Sequence, residues 1–482
     1  MLRFIFNFLV LLIKFLIYFS LFPKINPMRP QFKLITIVNY KINYLLCILS
    51  FLTLAAQEDF KGLKHWEIPS KNPDRIILTF YGDPTSSRAV TWRTSEEIEN
   101  SVAQISEATV NANIEYNPKT YKASIEKLNL GQYQRNNSFS VNYHSVIFNN
   151  LKPNTLYAYR VGDGDKFWSE WIHFKTAKKD YSKTEFVFFG DSQNRLLSHW
   201  SRVIRMAYQT APNASFAIHG GDLVDDAHRD YEWAEWFKAG GFIHSQWTNI
   251  PVLGNHEYWP LIAETEQQFT SIHWRPQFTL PIENGLSKKL HETVYTVDYQ
   301  DVRIIVLNSN FNLNTQTKYI EEKLKTSTAK WNIITCHHSI FSPALGRDFR
   351  YGRKNWKPLF DKYNVDLVLN GHDHTYARGH VPAVYKDDIE SKGVKTVYVT
   401  SVSGPKFYRL DRKQLKEGYV KDGYKSDKIS HLVQFFQVIT IDEDKLTYVA
   451  YTATGKEYDR IVIVKDFESG EKKFYKKNED PK

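Results

Sequence analysis

The chain has 482 residues, 42% apolar and 24% charged, an ordinary globular composition that excludes disordered and collagen-like classes and leaves room for two or about three domains. Its formal charge of +10 would point to nucleic acid if the cations shared one face. They do not. Of 63 basic side chains, Arg3, Lys14, Lys24, Arg29, Lys33 and Lys41 fall within residues 1–56, which hold no acidic residue, leaving 57 basic against 53 acidic side chains. The remaining balance is +4, and no nucleic-acid partner is expected.

Residues 1–56 read as a leader, with Met28 as an alternative start. Phe4–Phe22 is apolar apart from Lys14. Leu45–Ala56 follows three cations and carries Thr53-Leu54-Ala55, with small residues at the −3 and −1 positions of a secretory cleavage site. The rival reading is a membrane-anchoring first helix, so membrane contact is expected only through an uncleaved leader. Cleavage near residue 56 removes Cys47 and leaves Cys336 alone, with no intrachain disulfide. That habit fits an exported protein of bacterial type, periplasmic or secreted.

From Pro73 to Thr176 the pattern is β throughout. Arg75–Phe80, Ala89–Arg93, His144–Phe148, Leu156–Val161 and Trp171–Phe174 are short apolar or alternating runs separated by turn clusters such as Gly82-Asp83-Pro84 and Gly162-Asp163-Gly164. Such spacing predicts an all-β sandwich over residues 70–177. The run Leu151-Lys152-Pro153-Asn154-Thr155-Leu156-Tyr157-Ala158-Tyr159-Arg160-Val161 resembles a fibronectin type III-like domain. A polar linker, Ala177–Ser182, follows.

Residues 183–465 alternate strand-like runs with helical spacing at Arg195–Ala207 and Tyr231–Lys238, which predicts an α/β domain. Phe435–Ile441 and Leu446–Ala450 read as a hairpin, and 466–482 as a charged, mobile tail.

The chemistry lies at the ends of those runs. Phe186–Phe189 leads into Gly190-Asp191-Ser192-Gln193, and Phe216–Ile218 into His219-Gly220-Gly221-Asp222. Ile250–Leu253 ends in Gly254-Asn255-His256-Glu257, Ile333–Thr335 in Cys336-His337-His338, and Leu367–Leu369 in Asn370-Gly371-His372-Asp373-His374. The carboxyl edge of an open α/β sheet is where ligands bind. Carboxylate, amide and imidazole without thiolate suit Mn, Fe or Zn at a catalytic centre. The groups exceed what one ion needs, and a shared carboxylate would hold two ions about 3.5–4 Å apart.

This motif order resembles the calcineurin-like metallophosphoesterases, and with the β-sandwich in front the chain is similar to their purple acid phosphatase-like branch from about Pro73 to Asp459. The resemblance implies two β-sheets flanked by helices. It places a first metal on Asp191 and His374, a second on Asn255, His337 and His372, and Asp222 between them. Ser339 follows His337 at the family's spacing, which selects His337 over His338.

Two positions depart from the pattern. Asp225 stands where the purple enzymes carry an iron-binding tyrosine, so no ferric-tyrosinate colour is expected. Gln193 stands where the wider family has histidine; its amide oxygen or Asp225 completes the first site, or both only hydrogen-bond nearby.

The implied reaction is hydrolysis of phosphate monoesters on a small phosphorylated substrate, a metal-bridging hydroxide attacking phosphorus while His256 protonates the leaving group. Arg347, Arg350 and Arg353 are candidates to grip phosphate, or are solvated loop charge. Tyr258 and Trp259 either stack on an aromatic leaving group or cap their loop. Two alternatives stay open: a phosphodiesterase on the same metal core, and a surface binding protein with a vestigial phosphatase domain. The physiological substrate and the oligomeric state are not legible.

Overall fold

The structure, a computed structural model, describes residues 63–130, 139–259, 269–386, 392–477 and 479. The leader, with Met28 and Cys47, lies outside the described residues. Lys64–Lys482 forms one compact unit.

Among the described residues the largest sheet has eleven strands. In spatial order they are Lys472–Lys476, Glu457–Lys465, Lys445–Thr452, Phe435–Asp442, Thr184–Phe189, Phe216–His219, Thr248–Pro251, Asp74–Thr79, Arg88–Ser95, Ser140–Phe148 and Ser124–Asn129. A seven-stranded sheet runs through Tyr295–Tyr299, Val302–Leu307, Trp331–Cys336, Leu367–Asn370, Val394–Thr400, Tyr376–Pro382 and Lys425–Ser430. A four-stranded sheet, Lys119–Lys122, Val102–Glu107, Leu156–Gly162 and Ile172–Lys175, completes the sandwich.

Strand alternation decides how the layers stack, because successive side chains point to opposite faces. Ile304, Val306, Ile333, Leu367 and Leu369 join the core that contains Phe186 and Ile218 of the large sheet. Their neighbours Ile305, Leu307, Ile334 and Val368 pack instead with Tyr319, Ile320 and Leu324 of helix Leu313–Lys325. Helices Ser201–Thr210 and Asp230–Gly240 add Val203, Ile204, Trp233 and Trp236 to the first core. Each such side chain contributes about 1.5–3 kcal/mol on leaving water. In the sandwich, Leu78, Trp92 and Phe148 pack against Ile105, Tyr159 and Phe174. The expected order, an all-β domain followed by an α/β domain of two sheets with helices, is the one observed.

Two details go beyond the sequence reading. Asp74–Thr79 of the sandwich pairs in parallel with Thr248–Pro251 of the α/β domain, Leu78 lying opposite Thr248, so one sheet runs through both domains. Buried charges clamp the seam: Arg75 binds both carboxylate oxygens of Asp230 at 2.7 Å, and Arg93 reaches Asp230 at 3.3 Å. The tail is corrected, since Lys472–Lys476 is a strand paired with Glu457–Lys465. Phe474 is buried there, and Lys472 is buried with its ammonium 3.1 Å from Asp366 and bonded to the carbonyls of Asn364 and Val365.

Candidate metal centre

Thr184–Phe189, Phe216–His219 and Thr248–Pro251 are parallel neighbours, as are Trp331–Cys336 and Leu367–Asn370. Their carboxyl ends therefore share one edge in each sheet, and the loops that leave them carry Asp191, Asp222, Asn255, His337, His372 and His374. The loops turn sharply. Asp222, His372 and His374 have φ of 49°, 71° and 48°, a left-handed backbone that costs of order 1–3 kcal/mol per non-glycine residue. Glycine is needed where the loops meet: a Cβ on Gly254 would lie 2.2 Å from Asp222 Oδ1, and one on Gly371 2.2 Å from Asp191 Oδ1.

The ligand atoms fall into two groups, each within 4.8 Å: Asp191, Asp222 and His374, and Asp222, His337 and His372. Asp222 belongs to both. Asn255 Oδ1 joins the second group at 3.2 Å from His337 Nε2, and His372 Nδ1 lies 3.1 Å from the same nitrogen. The orientation of His337 follows from its partner. A carbonyl only accepts, so Nδ1–H donates to Gly220 O at 2.9 Å and Nε2 is the nitrogen turned toward Asp222, Asn255 and His372.

The donor set fits a pair of cations. Asp191 Oδ2 and Gln193 Oε1 are buried without a hydrogen-bond partner among the described residues. Burial, eased by His337 and reinforced by Asp222, lifts the Asp191 carboxyl to about 7. Against the same burial, His337 and His256 hold Asp222 well below the usual carboxylate range. Packed acceptors of this kind are satisfied by metal, and oxygen and imidazole ligands admit Fe, Zn or Mn.

Of the two departing residues, Gln193 enters the cluster and Asp225 does not. Gln193 Nε2 donates to Asp222 Oδ2 at 2.8 Å and lies 3.2 Å from His374 Nε2. Asp225 instead supports His256: its carbonyl accepts from His256 Nδ1–H, and its carboxylate lies 3.8 Å from the same nitrogen. His256 Nε2 is thereby turned to within 3.8 Å of Asp222 Oδ2.

Among the arginines, Arg347 donates to the His372 carbonyl at 3.0 Å and stacks on Tyr408, 4.3 Å from its ring centre. Arg350 is exposed and has no described contact with the cluster, and Arg353 is tied to Asp348 and, at 2.9 Å, to Asp422. Asp373 accepts from Ser342 at 2.7 Å, and His338 is held by Ser309 at 2.8 Å. Tyr258 is buried with its hydroxyl accepting from Asn308 at 2.7 Å, so it packs its loop. The Trp259 side chain lies outside the described parts.

Sequence reasoning quoted Glu257 within its motif but gave it no role. Fully buried, it accepts from the backbone N–H groups of Gly254, Asp222 and Leu223 at 2.7–2.9 Å. The available signal was its place two residues after Asn255. Tyr408, whose ring meets His374 at 4.9 Å, sits in no motif and had none.

Residues 73–176 match the family model described as the N-terminal domain of purple acid phosphatase, and residues 184–376 that of calcineurin-like phosphoesterase. Purple acid phosphatase 23 of Arabidopsis thaliana is 25% identical over 305 residues, 56% of this chain and 63% of that one. An uncharacterized protein of Mycobacterium tuberculosis is 24% identical over 353 residues, 63% of this chain and 62% of its own. The matched region thus spans a little under two thirds of these relatives. The structure of purple acid phosphatase PPD1 from yellow lupin seeds is similar with a TM-score of 0.68 at 19% identity, covering 83% of this chain and 76% of that one.

Proposed function

Because this chain belongs to the calcineurin-like phosphoesterases and carries the N-terminal domain of the purple acid phosphatases, we propose that it hydrolyses phosphate monoesters at a dinuclear metal centre. The observation that carries this reading is Asp222, shared by two ligand groups. Asp191, Gln193 and His374 would hold one ion with Asp222, and Asn255, His337 and His372 the other. Bound there, divalent ions make water a nucleophile at neutral pH and neutralise charge on the phosphoryl oxygens.

The chain's own groups supply the rest. His256 is fixed by the Asp225 carbonyl on Nδ1, which leaves Nε2 on the ligand side to give its proton to the leaving oxygen. Arg347 brings a guanidinium against His372, where it can pair with a phosphoryl oxygen. The composition of residues 1–56 supports export to the periplasm or beyond the cell.

The test is metal content per chain, with turnover of p-nitrophenyl phosphate and bis(p-nitrophenyl) phosphate by native and His256→Ala protein. We expect two metals, preference for the monoester, and a loss of about 10²-fold or more in the variant. Faster turnover of the diester would replace the reading with a phosphodiesterase. One metal or none, with neither ester turned over in added Mn, Zn or Fe, would overturn it in favour of the vestigial binding protein.

A further inference from the structure

Beside the metal centre lies a cavity of about 530 Å³, one wall of which is His374 itself. That volume is in the range of small-molecule sites. His199, Arg202, Lys406 and Lys456 also line it, and its lining contains no Asp or Glu. Arg202, Lys406 and Lys456 take part in none of the ion pairs among the described residues.

The cations are connected to the centre through one ring. Lys406 Nζ lies 5.7 Å from the Tyr408 ring centre, Arg347 lies 4.3 Å from it, and the ring meets His374 at 4.9 Å. A positive rim therefore continues from Arg347, past His374, into the cavity. A cleft of one sign with low-dielectric walls concentrates anions of the opposite sign. Three positive charges around one small space also repel each other, and a single carboxylate would leave two of them uncompensated. A phosphate or a chain of phosphates matches them, and Arg202 can bind its oxygens two at a time.

We propose that this cleft binds the second and further phosphates of a polyphosphorylated small molecule while its terminal phosphate is cleaved at the metal centre. The proposal rests on the phosphoesterase reading above. In the reaction water adds across the terminal P–O bond: its oxygen bonds to phosphorus, the bond to the bridging oxygen breaks, and that oxygen leaves with a proton. The phosphates retained by the product stay on Arg202, Lys406 and Lys456 until release. Phe407, half exposed at the rim, offers an apolar surface to whatever carries them.

The experiment compares kcat/KM for inorganic tripolyphosphate and for p-nitrophenyl phosphate, in native protein and in Arg202→Ala/Lys456→Ala. Calorimetry on the same metal-loaded proteins gives the affinity for methylenediphosphonate relative to methylphosphonate, neither of which is hydrolysed. The ratio of tripolyphosphate to p-nitrophenyl phosphate should fall by about tenfold or more, roughly 1.4 kcal/mol, with a parallel fall in preference for the bisphosphonate. The charge-reversed pair Arg202→Glu/Lys456→Glu should deepen both. Unchanged ratios, or equal losses on both members of each pair, overturn the proposal. If native protein turns over neither tripolyphosphate nor p-nitrophenyl phosphate, the phosphoesterase reading fails, and the phosphonate affinities still decide the cleft.

Discussion

Glu257 holds Asp222 by its backbone rather than by its side chain: Glu257 Oε2 accepts from the Asp222 N–H at 2.9 Å while Asp222's own carboxylate is left to face His337 and Gln193. The same carboxylate accepts from Gly254 and Leu223, so one buried group pins both loops that supply the shared ligand and Asn255. Glu257→Gln replaces an acceptor with an amide donor against those N–H groups, a buried mismatch of about 1–3 kcal/mol. Metal affinity, measured by competition with a chelator, should fall about 10–100-fold.

Gln193 touches His374 of the first ligand group and the shared Asp222, and makes no described hydrogen bond to Asn255, His337 or His372. In Gln193→Ala the affinity of the Asp191–His374 site should fall while that of Asn255, His337 and His372 is kept. Titration with limiting metal should then show two separated binding steps where native protein shows them closer together. Equal weakening of both steps would remove Gln193 from the first site.

The pair at the sheet seam makes a prediction about stability. Arg75→Ala leaves Asp230 fully buried with Arg93 at 3.3 Å and His273 at 3.4 Å as its remaining charged partners. Losing one partner of a buried pair costs about 3–5 kcal/mol, whereas replacing both with apolar side chains is often near neutral. Urea unfolding should show Arg75→Ala clearly destabilised and Arg75→Met/Asp230→Leu closer to native.

Buried histidines set the acid limit. Burial, and then the neighbouring His219, lowers His244 from 6.5 to about 3. As pH falls below 6.5 the unfolded chain takes this proton and the folded chain does not, so the stability lost accumulates through that window down to about pH 3. At pH 5 the loss from this one group is about 2 kcal/mol. The drop in unfolding free energy between pH 7 and pH 5 should therefore be smaller by about that amount in His244→Gln; the difference between the two pH values is the readout, so any constant packing penalty cancels. An equal drop in both proteins would show that His244 titrates freely.

The proposed ligands were legible because most are announced locally: an apolar run buried on both faces, a glycine, then a polar residue with no reason to follow a core strand. Asp191, Asp222, Asn255 and His372 carry that signature in full, His374 follows two residues after His372, and His337 follows its strand with Cys336 in the place of glycine. What surrounds them was not legible. Tyr408 and Lys406, on one loop, and Arg202, on helix Ser201–Thr210, lie around the centre and its cavity with nothing in their neighbours to set them apart from ordinary surface residues. The tail misled for a related reason: Lys472 reads as solvated charge until Asp366, more than a hundred residues earlier, is seen beneath it. The parallel seam of Leu78 and Thr248 has no local turn to betray it.

That seam also orders the events of the chain's own making. Asp74–Thr79 leaves the ribosome some 170 residues ahead of Thr248–Pro251, the strand that covers its edge. At about 5–20 residues per second, roughly 10–30 s pass with that row of N–H and C=O groups open to any strand that drifts by. Arg75 lies in that strand and Arg93 in its neighbour, and of the partners in the finished seam only Asp74 is at hand, for Arg93, before the Asp230 that both will share. Charged side chains on an open edge discourage pairing with a passing strand, and these are in place before the edge is covered.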